Sequence, residues 1–161
     1  MIRAADRLAL TCFLLALCGF AARTQAAEVP AASAPVPVPA ADLLWSDLDP
    51  TGAPGVEIAT LWGDHRKGAF GAFLKLPAGF ATPLHTHTHD MKLVIVSGTY
   101  VQSPDGGPAF RLGPGSYLMQ PGGDYRHTTS CDEASECLFF FESDGAFDLH
   151  PAAAAEPGAD S

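Results

Sequence analysis

Glycine and proline interrupt the central part of this 161-residue chain every several residues, and this spacing constrains the fold more than any other feature. The runs between the interruptions are short and rich in valine, isoleucine, leucine and aromatic residues. After the first 26 residues, no window shows a long apolar period of 3.6 residues. Short apolar runs separated by tight turns are typical of sandwiches and barrels. The sequence therefore predicts an all-β domain.

Eight segments have the composition of β-strands. Glycine-rich and proline-rich sequences separate them, and these residues supply the positive or preset φ angles that tight turns require. The predicted strands span residues 56–62, 69–76, 92–97, 99–102, 109–112, 116–120, 126–129 and 137–142.

The N-terminal residues have the pattern of a secretory signal peptide. Arg3 and Arg7 precede an apolar run over residues 8–22, and residues 24–26, Thr-Gln-Ala, place small side chains where a signal peptidase cleaves. The apolar run is shorter than the roughly 20 residues of a membrane-spanning helix. We therefore expect residues 1–26 to be removed and the mature protein to be periplasmic or secreted.

Removal of this segment makes an acidic chain more acidic. It takes away three arginines and one aspartate, so six basic and 17 acidic residues remain and the net charge changes from −9 to −11. Such a surface repels the phosphates of nucleic acids and the headgroups of anionic lipids. We therefore expect neither a nucleic acid nor a membrane as a partner of the mature protein.

Composition divides the mature chain into three parts. Residues 27–42 consist largely of alanine, proline and valine, which favours an extended linker. Residues 151–161 have a similar composition and are expected to form a disordered tail. Residues 43–150 have the size of one ordinary domain.

Two cysteines, Cys131 and Cys137, remain after the signal peptide is removed. They flank a polar loop, 132–136, that joins two predicted strands, so the thiols could face each other across its base. An exported protein also reaches a compartment in which disulfides persist. We predict a Cys131–Cys137 disulfide, with two reduced thiols as the alternative, because the required geometry cannot be derived from sequence.

Three histidines are concentrated within residues 85–89. Residues two apart in a β-strand share a face, so His85 and His87 would project to the same side. Neutral imidazole is a common ligand of transition metals, and His127 in a later predicted strand could supply a third ligand. The alternative is a histidine run exposed on an edge strand.

These residues resemble the two sequence motifs of the cupins. The first motif is matched by Gly79, five residues, His85-Thr86-His87 and the later Gly98. The second is matched by Gly115, five residues, Pro121-Gly122-Gly123 and the following His127. In amino-acid sequence, residues 80–98 and 138–145 are most similar to the small bacterial cupins grouped as DUF4437.

The resemblance covers residues 56–145, and it implies a single-domain cupin. Its fold would be a double-stranded β-helix, or jelly-roll barrel, of six or eight strands with additional N-terminal strands. The resemblance also implies that His85, His87 and His127 converge on a divalent transition metal: iron, manganese, zinc, nickel or copper. Many cupins dimerise through sheet edges, so a homodimer is expected on the same basis.

Two departures from the family pattern leave the ligand set open. Met91 stands where cupins usually have a glutamate ligand, so His89 or water is the candidate fourth ligand. The family pattern also places the histidine of the second motif one residue earlier, where this chain has Arg126. A bulge near residues 122–123 would turn His127 inward, whereas an unbroken strand would turn Arg126 inward instead.

The other polar residues give weaker indications. Several could line one end of a barrel, but each is expected to lie on the surface or to fill a strand: Tyr100, Gln102, Arg111, Tyr117, Gln120 and Tyr125. His65 in a predicted turn and His150 at the start of the tail are expected to be exposed.

Two function classes follow, and both use a small-molecule ligand or a metal. A histidine set with open positions could support dioxygenase-like oxidation of a small molecule, or Lewis-acid chemistry. The lack of a second carboxylate near the histidines and the presence of Met91 favour the alternative, a protein that binds a metal or small ligand without turnover. A structural or interaction module is a weaker third class. The sequence contains no nucleophile motif, P-loop or dinucleotide fingerprint.

Overall fold

The computed structural model describes residues 34–153, which form a short 3-10 helix, Ala40–Asp42, and eleven strands. The strands are β1 (Ser46–Asp49), β2 (Ala53–Gly63), β3 (Phe70–Leu76), β4 (His85–Thr86), β5 (Met91–Ser97), β6 (Tyr100–Pro104), β7 (Phe110–Leu112), β8 (Tyr117–Gln120), β9 (His127–Cys131), β10 (Cys137–Ser143) and β11 (His150–Pro151). The predicted signal peptide, residues 1–26, lies outside the described residues. So do residues 27–33 of the predicted linker and 154–161 of the predicted tail. Within the described part, no helix has the length and apolar character needed to span a membrane.

The strands form two sheets whose neighbours are antiparallel. The first sheet has the order β1-β2-β3-β10-β5-β8, and the second has the order β11-β4-β9-β6-β7. Strands close in sequence, such as β4 and β5, therefore lie in different sheets, and the chain crosses repeatedly between the two layers. The prediction of an all-β domain is confirmed.

Alternating side chains from the first sheet fill the space between the layers. Phe139 and Phe141 of β10 are buried, as are Leu93 and Ile95 of β5, while the residues between them are more exposed. This period of two is what a strand with one face toward a core requires. The Phe141 ring meets the ring of Phe70 edge to face, with centroids 5.0 Å apart. The apolar core thus lies between the two sheets.

All eight predicted strands are present, with ends that differ by at most three residues. Three strands were missed. β1 has the sequence Ser-Asp-Leu-Asp, which has little β propensity, and it forms because it pairs with β2. β4 and β11 have two residues each and pair with one another, Pro151 opposite His85. The first residue of the predicted tail therefore belongs to a strand.

A disulfide joins Cys131 of β9 to Cys137 of β10, with Cα atoms 5.8 Å apart. Both residues are buried. Because β9 belongs to the second sheet and β10 to the first, the bond ties the two sheets together at one end.

The double substitution Cys131→Ala/Cys137→Ala is expected to lower the free energy of unfolding by roughly 2 kcal/mol, because the bond closes a short loop and restricts the unfolded chain accordingly. Urea denaturation of the mature protein measures this difference. A reducing agent should destabilise the wild type by a similar amount and leave the variant unaffected. A wild type that is insensitive to reductant would contradict the prediction.

Candidate metal centre

Strand pairing brings the three predicted histidine ligands together. β4 and β9 are neighbours in the second sheet, and His85 lies directly opposite His127. Opposite residues of an antiparallel pair project to the same face, and His87 follows two residues after His85. The three side chains are at most 6% exposed, and their ring centroids lie 4.3 to 5.3 Å apart. His85, His87 and His127 thus form one buried cluster.

His127, and not Arg126, faces the interior. β8 ends at Gln120 and β9 begins at His127, so residues 121–126 form a turn that absorbs the additional residue. The strand therefore begins with His127 already in register opposite His85, and no bulge within the strand is needed. Arg126 pairs with Asp105, with 3.1 Å between a guanidinium nitrogen and a carboxylate oxygen.

The turn at residues 121–126 also holds the first histidine segment in place. The amide of Gly123 donates a hydrogen bond to the carbonyl oxygen of His87 (2.8 Å), and the amide of Gly122 donates to the carboxylate of Asp90 (2.7 Å). A Cβ atom at position 122 would lie 2.5 Å from the carbonyl oxygen of Thr88. Only glycine allows the turn to approach this closely.

Backbone carbonyls fix the protonation of all three rings. The Nδ1 atom of His85 contacts the carbonyl oxygen of Pro83 at 2.8 Å, and that of His127 contacts the carbonyl oxygen of Tyr125 at 3.3 Å. His87 Nδ1 bonds the carbonyl oxygen of Asp148. Because a carbonyl oxygen can only accept, each Nδ1 carries the proton and each Nε2 is left with a free lone pair.

The Nε2 atoms face one another in a way that suits a shared cation. Those of His85 and His87 are 3.1 Å apart, and one ligand atom from each of the three rings lies within 4.8 Å of the others. Nitrogens that share one ion through bonds of about 2.1 Å lie roughly 3.0 to 3.4 Å apart. His127 Nε2 is buried and has no hydrogen-bond partner among the described residues. His85 and His87 therefore already have the spacing of two ligands of one ion, and the third ring completes the set when it moves closer to that ion.

Burial keeps the three imidazoles neutral. Desolvation lowers the pKa of His87 to about 4, although the hydrogen bond that His87 donates to the Asp148 carbonyl oxygen raises it. Desolvation and then the neighbouring His85 lower the pKa of His127 to about 4, and desolvation also lowers the pKa of His85. Neutral imidazole is the form that binds metals. The cluster is therefore ready to accept a cation at neutral pH.

The metal-free protein should lose stability as the pH falls from about 6.5 to about 4. In this window the unfolded chain protonates His87 and His127 while the folded protein, with the pKa of both near 4, does not. Each group weakens folding by at most roughly 1.4 kcal/mol per pH unit, and the loss ends below about pH 4. Urea denaturation at several pH values measures it. The slope should be smaller in His87→Gln, and an unchanged slope would contradict the assignment.

The candidate fourth ligand His89 lies outside the cluster. The strand ends at Thr86, and the chain turns so that His89 is exposed with its ring against Gly145. Met91, at the position of the usual cupin glutamate, is buried in β5. Within residues 34–153, the group of candidate ligand atoms consists of three histidines and contains no carboxylate.

A cavity of about 570 Å³ adjoins the cluster. His85 and His87 form part of its wall, and most of the remaining wall is apolar, including Leu74, Met91, Leu93, Phe139, Phe141 and Phe147. A volume of this size falls in the usual range for small-molecule sites. The cluster can therefore present an ion to a bound small molecule.

Several residues of the site were not expected from the sequence. Tyr100, Gln102 and Gln120 were expected to lie on the surface or to fill a strand; all three are buried, and Tyr100 and Gln120 line the cavity. In β6 the sequence did contain an indication of this burial, because Tyr100 and Gln102 are two residues apart and therefore share one face of the strand. His65 is half-buried and lines the cavity, whereas the exposed His150 contacts the Asp148 carboxylate at 3.2 Å.

The sequence matches the family described as a domain of unknown function, DUF4437, over residues 22–160. The chain belongs to this family. A search of curated proteins finds no match for it.

Solved structures share the fold of this DUF4437 protein at low sequence identity. The polyketide cyclase RemF from Streptomyces resistomycificus superposes with a TM-score of 0.63 and 17% identity over 76% of this chain and 89% of that chain. The DMSP lyase DddQ from Ruegeria pomeroyi superposes with a TM-score of 0.56 and 20% identity, over 72% of this chain and 64% of that chain. An RmlC-like cupin from Shewanella frigidimarina superposes with a TM-score of 0.53 and 16% identity, over 68% of this chain and 89% of that chain. The predicted cupin fold is confirmed, and these identities carry no further conclusion.

Proposed function

We propose that this DUF4437 cupin holds a divalent transition metal at His85, His87 and His127, and that it oxidises a small molecule bound in the adjoining cavity in a dioxygenase-like reaction. One observation carries the proposal. Three buried imidazoles bring one ligand atom each to within 4.8 Å of the others, and two of them, His85 and His87, line a largely apolar cavity of about 570 Å³.

The ligand set narrows the choice of metal. Imidazole suits iron, nickel, copper and zinc, whereas manganese, magnesium and calcium prefer oxygen ligands. Because the cluster contains no carboxylate within residues 34–153, iron and copper are the strongest candidates for the oxidative reaction. When bound, such an ion would supply a site for dioxygen and for electron transfer, and zinc would supply Lewis acidity instead.

The chain supplies orientation and exclusion of water. The Phe147 ring lies against His87 and Phe141, with centroid distances of 5.5 and 5.9 Å. The next residue, Asp148, holds the Nδ1 proton of His87 through its carbonyl oxygen. Phe147 and Asp148, which line the cavity, thus also orient a metal ligand, and the packing of Phe147 limits the access of water to His87.

Acid–base chemistry has less support at this site. Two carboxylates, those of Asp49 and Asp148, line the cavity. Asp49 accepts hydrogen bonds from the Thr51 and Gly52 amides at 3.0 and 2.9 Å. Asp148 accepts a hydrogen bond from the Thr88 amide at 2.8 Å and contacts His150 at 3.2 Å. Thr88 and His150 are exposed. Both carboxylates are therefore engaged in other contacts, which favours oxidation or binding over proton transfer.

A binding protein without turnover is the second candidate. The observation that favours it is Met91, buried in the cavity wall where cupins usually place an anionic glutamate ligand. Loss of an anionic ligand weakens the hold on a catalytic ion, and a thioether is a poor ligand for hard metals.

Elemental analysis tests the metal centre. Residues 27–161, purified without a histidine tag, should contain close to one transition-metal ion per chain. His127→Ala and His85→Ala/His87→Ala should lose it, because two or fewer imidazoles remain. The matched control His89→Ala removes an exposed histidine outside the cluster and should retain the metal. A metal-free wild type after reconstitution, or equal loss in the control, would contradict the site.

Turnover then distinguishes the two candidates. A small-molecule library is screened by thermal shift against the protein reconstituted with iron, copper or zinc, and the compounds that bind are incubated in air and followed by mass spectrometry. Oxygen incorporation that His127→Ala abolishes supports the oxidoreductase. Compounds that bind without product under all three metals support the binding protein.

We also infer that the mature protein is exported and begins at Ala27. The signal-peptide pattern and the Cys131–Cys137 disulfide both support an oxidising compartment. In a Gram-negative host, the full-length chain should appear in the periplasmic fraction with Ala27 at its N-terminus. Retention in the cytoplasm at full length would contradict this inference.

A further inference from the structure

Two buried glutamines, Gln102 and Gln120, meet in the space between the sheets. Gln102 lies on β6 of the second sheet and Gln120 ends β8 of the first. The amide nitrogen of Gln102 donates to the amide oxygen of Gln120 at 3.1 Å. Their exposed fractions are 0% and 1%. Two amides buried this completely lose their bonds to water, so each remaining donor and acceptor needs a partner.

One bond leaves this pair incomplete. The Nε2 atom of Gln120 and the Oε1 atom of Gln102 have no partner within residues 34–153. Gln102 also has Tyr125 beside it, with the phenol oxygen 3.5 Å from its Nε2. Gln120 instead lines the cavity that His85 and His87 also line. The free donor of Gln120 therefore belongs to a residue of the cavity wall.

The same local structure holds Gln120 and the metal ligands. Gln120 lies opposite Met91 in the β5–β8 pairing, and both residues line the cavity. The turn that follows Gln120 bonds the backbone of His87 through Gly123. Tyr125, beside Gln102, stacks on His127 with centroids 5.2 Å apart. The amide pair is thus held rigidly next to the histidine cluster.

We propose that Gln120 recognises the ligand of this cavity by donating a hydrogen bond from its side-chain amide to a carbonyl oxygen on a neutral, otherwise apolar molecule. This rests on the proposed function, because it requires that the cavity binds a small molecule. Gln102 is the positioning residue, since its Nε2 donates to the Gln120 oxygen and leaves the Gln120 nitrogen as the donor without a partner among residues 34–153.

The chemistry of the wall favours a neutral carbonyl compound. The fully buried polar residues of the described chain are three histidines, two glutamines and one serine. The charged residues that line the cavity, Asp49, Arg66 and Asp148, are exposed or half-buried, so no charged side chain lies in its buried part to balance an ionic ligand. A protein with a net charge of −9 also disfavours the approach of anions. The free donor of an amide, however, matches the acceptor oxygen of a ketone or aldehyde.

Matched pairs of probes test this assignment. Acetophenone, cyclohexanone and 2-heptanone are each compared with the hydrocarbon in which a methylene group replaces the carbonyl oxygen. Binding is followed by NMR on the metal-free mature protein, so the result does not depend on metal loading. At least one ketone should bind more tightly than its hydrocarbon, and it should shift the side-chain amide signal of Gln120.

Substitution of Gln120 should remove this preference. In Gln120→Leu, affinity for the preferred ketone should fall by about tenfold, because a buried carbonyl oxygen loses its donor. Affinity for the hydrocarbon should stay equal or rise. Gln120→Met, which keeps the length of the side chain, serves if the leucine variant does not fold. Met119→Leu is the matched control on the exposed face of the same strand, and it should leave both affinities unchanged.

The outcomes separate the two proposals. If a ketone and its hydrocarbon bind the wild type equally, water or another group satisfies Gln120, and the assignment is wrong while the cavity remains a binding site. If the ketone preference persists in Gln120→Leu, another residue is responsible and the assignment is again wrong. If no probe binds the wild type, both the small-molecule function of the cavity and this assignment are contradicted.

Discussion

Three imidazoles lie side by side in the interior of the protein. Burial and mutual repulsion at this separation favour the uncharged form of each ring. Desolvation lowers the pKa of each, most strongly at His87 and His127. Each Nδ1 proton is then held by a backbone carbonyl, so the second nitrogen of every ring is left as an acceptor. Backbone oxygens thus determine which nitrogens are free, and the free nitrogens face one another at the cavity wall. The chemistry open to this protein depends on that arrangement.

A single turn, residues 121–126, connects the parts of the site. It begins after Gln120 and ends at His127, and its glycine amides bond the segment that carries His87. Metal ligands and the cavity amide are therefore placed by one element packed tightly against another. A change in this turn would move several groups together, so the geometry of the site is inherited from backbone packing more than from contacts between the functional side chains.

The sequence predicted eight of the eleven strands and the three histidines of the cluster, but less of the arrangement of the site. Alternation predicted that His85 and His87 share a face, because this period is intrinsic to a strand. The orientation of His127 could not be derived, since it depends on how many residues the preceding turn absorbs. The burial of Gln102 and Gln120 was missed because amide side chains are usually exposed, and only their pairing across two sheets explains it. The position of His89 likewise depends on a turn that no local pattern specifies.

Met91 keeps a charge out of the buried part of the cavity wall. A glutamate at the position of Met91 would place a negative charge in this wall and would require a compensating cation or hydrogen bonds. With methionine there, the fully buried polar groups near the cluster are imidazoles and amides. The charged residues that line the cavity, Asp49, Arg66 and Asp148, are exposed or half-buried. Such a wall discriminates by the placement of donors and acceptors and not by charge. Asp49 and Asp148 line the cavity only from exposed or half-buried positions, so the negative surface affects which molecules reach the site, and the buried wall affects which molecules stay in it.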